Sequence, residues 1–201
     1  MLALPTGPPE LPPEPPSPPA LVVRWRDSVA VGSPTGGSLV RGVRFPADGA
    51  SFFTWDPLTH ESPSPGWRRN GTDGLVRITL RVVRQFAAAH PGTPRIGIGD
   101  LSRPHGGSFG PEWGGPGHVS HQNGLDVDVY FPRLDRRERP PKRIDQVDLE
   151  LSQDLVRRFV EAGAEKVFVG PSTGLRGPPR VVEVLPHHDN HLHVRLPPGL
   201  A

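Results

Sequence analysis

Two short stretches limit what this chain can fold into: "LDVDVYF" at 125–131 and "HLHVRL" at 191–196. Both alternate apolar and polar residues with a period of two, the mark of a strand with one face buried. In the second, Leu192, Val194 and Leu196 take the core side, which leaves His191, His193 and Arg195 together on the other. In the first, Leu125, Val127 and Val129 point one way while Asp126, Asp128 and Tyr130 share the opposite side. Each strand therefore gathers possible metal ligands on a single face. A half-solvated strand would need nothing more than this pattern. A tract such as "HHDNHLHV" (187–194), with four of the nine histidines, can also be a chance metal patch. The two faces make one site only if the fold brings them together.

His121 stands seven positions before Asp128, and the intervening "QNG" contains a strong turn dipeptide. A reversal there would return His121 to the side of Asp128. His121, Asp128 and one of His191 and His193 would then supply three protein ligands. Catalytic zinc typically takes three and keeps its fourth position for water. The histidine left over on the same face could take or give protons. No HExxH occurs, which excludes a peptidase drawing its glutamate base from that motif, and the absence of cysteine excludes thiolate metal sites and cysteine nucleophiles.

The remaining pattern mixes helices and strands without a βαβ rhythm. "DGLVRITLRVVRQFAAAH" (73–90) reads as a helix capped by Thr72 or Asp73, and "SQDLVRRFVEAG" (152–163) as a second. "LVVRW", "RIGIGD", "KVFVG" and "RVVEVL" read as short strands, and residues 45–72 as a loop-rich layer anchored by Phe52, Phe53, Trp55 and Trp67. With 28 prolines and 24 glycines in 201 residues, long irregular loops must join these elements. The expected fold is α+β, a mostly antiparallel sheet with flanking helices. Residues 1–20, with nine prolines, read as a disordered tail that cannot build a core, and 21–201 as a single domain. No stretch approaches the roughly 20 apolar residues of a membrane span, and no basic start followed by an apolar run marks a secretory signal. A formal charge of +2 gives no argument for a nucleic-acid partner.

"GDLSRPHGG", "GHVSHQNGLDVDV" and "HHDNHLHVRL", in that order, resemble the penicillin-insensitive murein endopeptidases, part of a wider group with lysostaphin-type and D-Ala-D-Ala metallopeptidases and the hedgehog domain. The resemblance implies a hedgehog/D-Ala-D-Ala peptidase-like fold holding one catalytic Zn2+. It assigns His121, Asp128 and His193 as ligands, with His118 a further contact or a partner of one. It assigns His191 and His188 as catalytic histidines and leaves His187 without a role. Arg103 and Arg133 are candidates for binding substrate carboxylates. Asp145 and Asp148 are either further acidic contacts or helix-entry residues. The implied substrate is peptidoglycan, cut at the D-alanyl-diaminopimelate amide of its cross-linked stem peptides, in the periplasm or outer cell envelope. Trimming of terminal D-Ala, or zinc-dependent wall or protein binding without hydrolysis, are the alternatives. The proline-rich head and the basic loop 133–143 have no counterpart in the resemblance.

Overall fold

The computed structural model describes residues 21–114 and 117–200, so the expected proline-rich tail lies outside the described residues. In chain order the strands are β1 (Val29–Ser33), β2 (Gly36–Val40), β3 (Val43–Arg44), β4 (Asp48–Gly49), β5 (Phe52–Thr54) and β6 (Asn70–Gly71). Helix α1 (Asp73–Ala89) is followed by β7 (Ile96–Ile98) and β8 (Asp126–Tyr130). Helix α2 (Leu149–Glu161) then leads to β9 (Lys166–Val169), β10 (Val182–Val184) and β11 (His191–Arg195). Seven strands make one sheet in the order β10-β9-β11-β8-β7-β5-β4. Its β9–β10 and β5–β7 pairs are parallel and the other ladders antiparallel, so the fold is α+β with a mostly antiparallel sheet.

Local chemistry explains most element ends. Thr72 Oγ1 accepts the Leu75 amide at 3.2 Å and starts α1; Pro91 follows its last turn. The second helix begins three residues before the expected Ser152, because Asp148 caps it by accepting the Leu151 amide at 3.1 Å. That carboxylate is therefore engaged at a helix entry, and Asp145 pairs with Arg143 on the exposed loop. "SPTGG" closes the β1–β2 hairpin. "LVVRW", expected as the first strand, pairs with no strand among the described residues. Only Val23 of the five is half buried, so no pleated surface holds the segment despite its β-branched residues. It passes α1 instead, with Arg77 over the Trp25 ring at 3.7 Å.

One hydrophobic cluster ties both helices to the sheet. Leu75, Val82 and Phe86 of α1 and Leu155 and Phe159 of α2 pack with Val127, Val129, Leu192, Val194 and Ile98. By strand alternation, the other face of β8 and β11 carries their polar side chains.

Candidate active site

The two alternating strands are direct neighbours. In the β8–β11 register His191 faces Tyr130, His193 faces Asp128 and Arg195 faces Asp126. Both polar faces are on the same side. The chain reaches them from His121 through a reversal, with φ of +66° at His121 and +77° at Gly124. Asp126 fixes that reversal, since its Oδ2 accepts the His121 amide at 3.0 Å. His121 Nε2 then lies 3.3 Å from Asp128 Oδ1, and His193 Nδ1 and His191 Nε2 each lie 3.7 Å from the same oxygen. His118 joins from the loop before, so that His118, His121 and Asp128 each place a ligand atom within 4.8 Å of the others.

Backbone and carboxylate neighbours set which ring nitrogens are free. His121 Nδ1 is 2.6 Å from the Leu101 carbonyl, which can only accept, so Nδ1 carries the proton and Nε2 offers a lone pair. His188 and His191 are arranged alike: Nδ1 donates to the Pro186 carbonyl at 2.7 Å and to Asn190 Oδ1 at 2.6 Å respectively. His193 is turned the other way, with Nε2 3.3 Å from Asp126 Oδ1 and Nδ1 toward Asp128. His118 Nε2 meets Asp100 Oδ2 at 2.7 Å, and Asp100 is itself clamped by Arg68 through contacts of 2.6 and 2.5 Å.

This donor set fits a cation. His121 Nε2 and Asp128 Oδ1 are buried and neither completes a hydrogen bond. Left alone, such atoms are costly; as metal ligands they are satisfied. The field points the same way. Burial disfavours a charged His121, yet Asp128, then Asp126 and Asp100, hold its pKa up at about 9, so this corner favours positive charge: a proton on Nε2 when no metal is held, the cation in its place when one binds. Burial also opposes charge on Asp128, and the neighbouring His121 and His191 still draw its carboxyl well below the usual range. His191 goes the opposite way, pushed by burial to about 4 against the pull of Asp128, so its Nε2 is an unprotonated base at neutral pH.

The walls come from residues of mixed legibility. On β7 and just after it, Gly97 and Gly99 face the site, and a Cβ at Gly99 would press on Asp128 Cβ at 3.1 Å. In "RPHGG", Gly106 has φ of +67° and a Cβ there would collide with the Gln122 carbonyl, so this loop packs against the reversal after His121. Arg103 stacks over Trp113 at 3.5 Å and donates to the Ser108 carbonyl at 2.6 Å. Trp67 lies between Trp113 and Phe109, whose ring adjoins His118. Arg133 is not brought to these groups: its buried guanidinium is taken up by Asp135 and Gln146 within its own loop. His187 is exposed with φ of +69°. Arg68, Asn190 and the Leu101 carbonyl escaped the sequence reading. "WRRN" looks like a surface run, and only Asp100, thirty-two residues on, makes Arg68 a buried strut.

The family of penicillin-insensitive murein endopeptidases matches residues 30–161, well over half of the chain. The chain belongs to this family. No curated protein matches it. The matched span carries His118, His121 and Asp128; His188, His191 and His193 lie beyond it, and the β8–β11 ladder brings them to the rest. Membership in a murein endopeptidase family makes peptidoglycan the substrate, hydrolysis the reaction and the cell envelope the place of work. No helix among the described residues is long and apolar enough to cross a membrane.

Proposed function

We propose that the chain is a zinc-dependent D,D-endopeptidase that hydrolyses the D-alanyl-diaminopimelate amide of cross-linked peptidoglycan, with residues 21–201 acting as one domain. One observation carries this reading: His121 Nε2, Asp128 Oδ1 and His193 Nδ1 converge while two of them are buried without a hydrogen bond. These three are the proposed ligands, and His118 is a fourth contact steadied by Asp100. Zinc held there would supply Lewis acidity, polarising a carbonyl and making water acidic near neutral pH.

The chain's own groups do the rest. His191 presents a neutral Nε2 and accepts a proton there, because Asn190 holds the Nδ1 proton in place. The proton taken up on His191 Nε2 is the one returned to the leaving amine, and His188, its ring 4.8 Å from that of His191, offers a second Nε2 that can accept and relay it. Arg103, already stacked on Trp113, is the proposed binder of a stem-peptide carboxylate. Arg133 in this reading holds the basic loop. Two proton-handling histidines beside the ligands favour hydrolysis over a binding module, whose metal has no use for a neutral base held next to it.

The test is purified protein, zinc-loaded, with cross-linked muropeptide dimers and with monomeric pentapeptide. Loss of dimer alone supports the endopeptidase. Release of terminal D-Ala alone would make it a carboxypeptidase, and no product from either with metal bound would leave a binding module. His191→Ala should lower kcat by about 100-fold or more while metal content by elemental analysis stays unchanged. Loss of metal instead would overturn the division of roles.

A further inference from the structure

On its outer face α1 presents Arg77, Arg81 and Arg84 to solvent. Spaced four and then three residues apart, they form one stripe along the helix. Arg77 lies over Trp25, and Arg84 donates to the Leu80 carbonyl; among the described residues no carboxylate stands within ion-pair distance of any of the three. Of the acids on this side, Asp48 pairs with Arg95, while Asp73, hydrogen-bonded to Ser28, feels the charge of Arg77 without forming an ion pair with it. The neighbouring segment adds exposed Arg24 and Arg26. It also leaves Val22 84% exposed, Leu21 43% and Trp25 40%. Two adjoining grooves of about 570 and 600 Å³ open here, both lined by Leu21, Val22, Leu80 and Arg84.

Unpaired arginines call for a negative partner, and the apolar side chains beside them decide which kind. A dissolved acidic polymer would satisfy the guanidinium groups and leave Val22 and Leu21 in water. An anionic phospholipid surface satisfies both. Its phosphates take the arginines, the aliphatic chains enter the interface, and Trp25 sits at the boundary where an amphipathic ring is favoured. We infer that this face docks the protein on an anionic membrane surface. Helix α1 covers the sheet face opposite the histidine cluster, so a docked molecule turns the cluster away from lipid. The inference does not depend on the proposed reaction.

Sedimentation of the full chain with vesicles tests it. Vesicles of equal parts phosphatidylglycerol and phosphatidylcholine should carry the protein down, and phosphatidylcholine alone should not. Each arginine near such a surface is worth about five-fold in partitioning, so Arg77→Gln, Arg81→Gln and Arg84→Gln together should weaken binding by about 100-fold. Val22→Ser should weaken it too, and muropeptide turnover in solution should be unchanged in every variant. Equal binding to both vesicle types, or a triple variant that sediments like the parent, would overturn the inference. So would polyphosphate binding that competes off the vesicles and ignores Val22→Ser, which would assign the face to an acidic polymer.

Discussion

Asp126 bears on both halves of the site without being one of the proposed ligands. Fully buried, its carboxylate accepts the His121 amide, faces His193 Nε2 and takes Arg195 Nε at 2.7 Å. Burial alone would raise its pKa, and the neighbouring charges of His193 and His121, with the hydrogen bond from Arg195, override it, holding the carboxyl well below the usual range. Asp126→Asn leaves Arg195 without its counter-charge and loosens the reversal that delivers His121. The expected cost is about 3 kcal/mol in urea unfolding at neutral pH. Metal affinity should fall by about 10-fold or more in competition with a chelator. Stability and affinity both unchanged would show that Asp126 orients nothing.

Among the elements, α1 and α2 meet through one polar link as well as through the core. Asp154 of α2 takes His90 Nε2, just past the end of α1, at 2.9 Å and Arg158 Nε at 2.5 Å. Burial resists its charge, but His90, Arg158 and Arg157 bring its pKa down to about 2. An unfolded aspartate titrates near about 3.9, so the folded value is the lower one. The link's contribution is then complete above roughly pH 4 and fades as pH falls toward about 2. Denaturation of the parent and of Asp154→Asn should accordingly show a stability gap at neutral pH that closes over that acid window. A gap that persists undiminished at its acid end would refute the link. The elements that alternate or carry caps were legible in the sequence: β8 and β11 from their period of two, α1 from Thr72 and its apolar stripe. "LVVRW" was misread because propensity reports a residue's fitness for a pleated surface, not the presence of one. The two-residue strands Val43–Arg44 and Asn70–Gly71 carry no period at all; they exist because tertiary packing lays those segments side by side. For the candidate site, ligand types could be read from "HQNGLDVD" and "HLHV". His118 was named through the resemblance, but the contacts from Arg68 through Asp100 to His118 join distant segments, for which no local spacing could stand.

Across the whole molecule, the histidine cluster rests on the apolar side of the same two strands. Leu192 sits between His191 and His193 and is fully buried in the core shared with both helices. Leu192→Ala should destabilise by about 3 kcal/mol, measured by thermal or urea unfolding, and should reduce muropeptide turnover well below the folded fraction because β11 can settle against the cavity. Turnover that tracks the folded fraction would show that the strand holds its position without Leu192. The strand order also sets a timetable. β11 is the last of the described strands and is seated between β8 and β9, both of which precede it in the chain. Until Arg195 has left the ribosome the sheet is split into two unjoined parts, and His121 and Asp128 wait beside an open seam. Such long-range closure is slow relative to local folding. In the proposed reading a chain cut before His191 should therefore release no product, because the candidate site is completed only when this strand joins the two parts of the sheet.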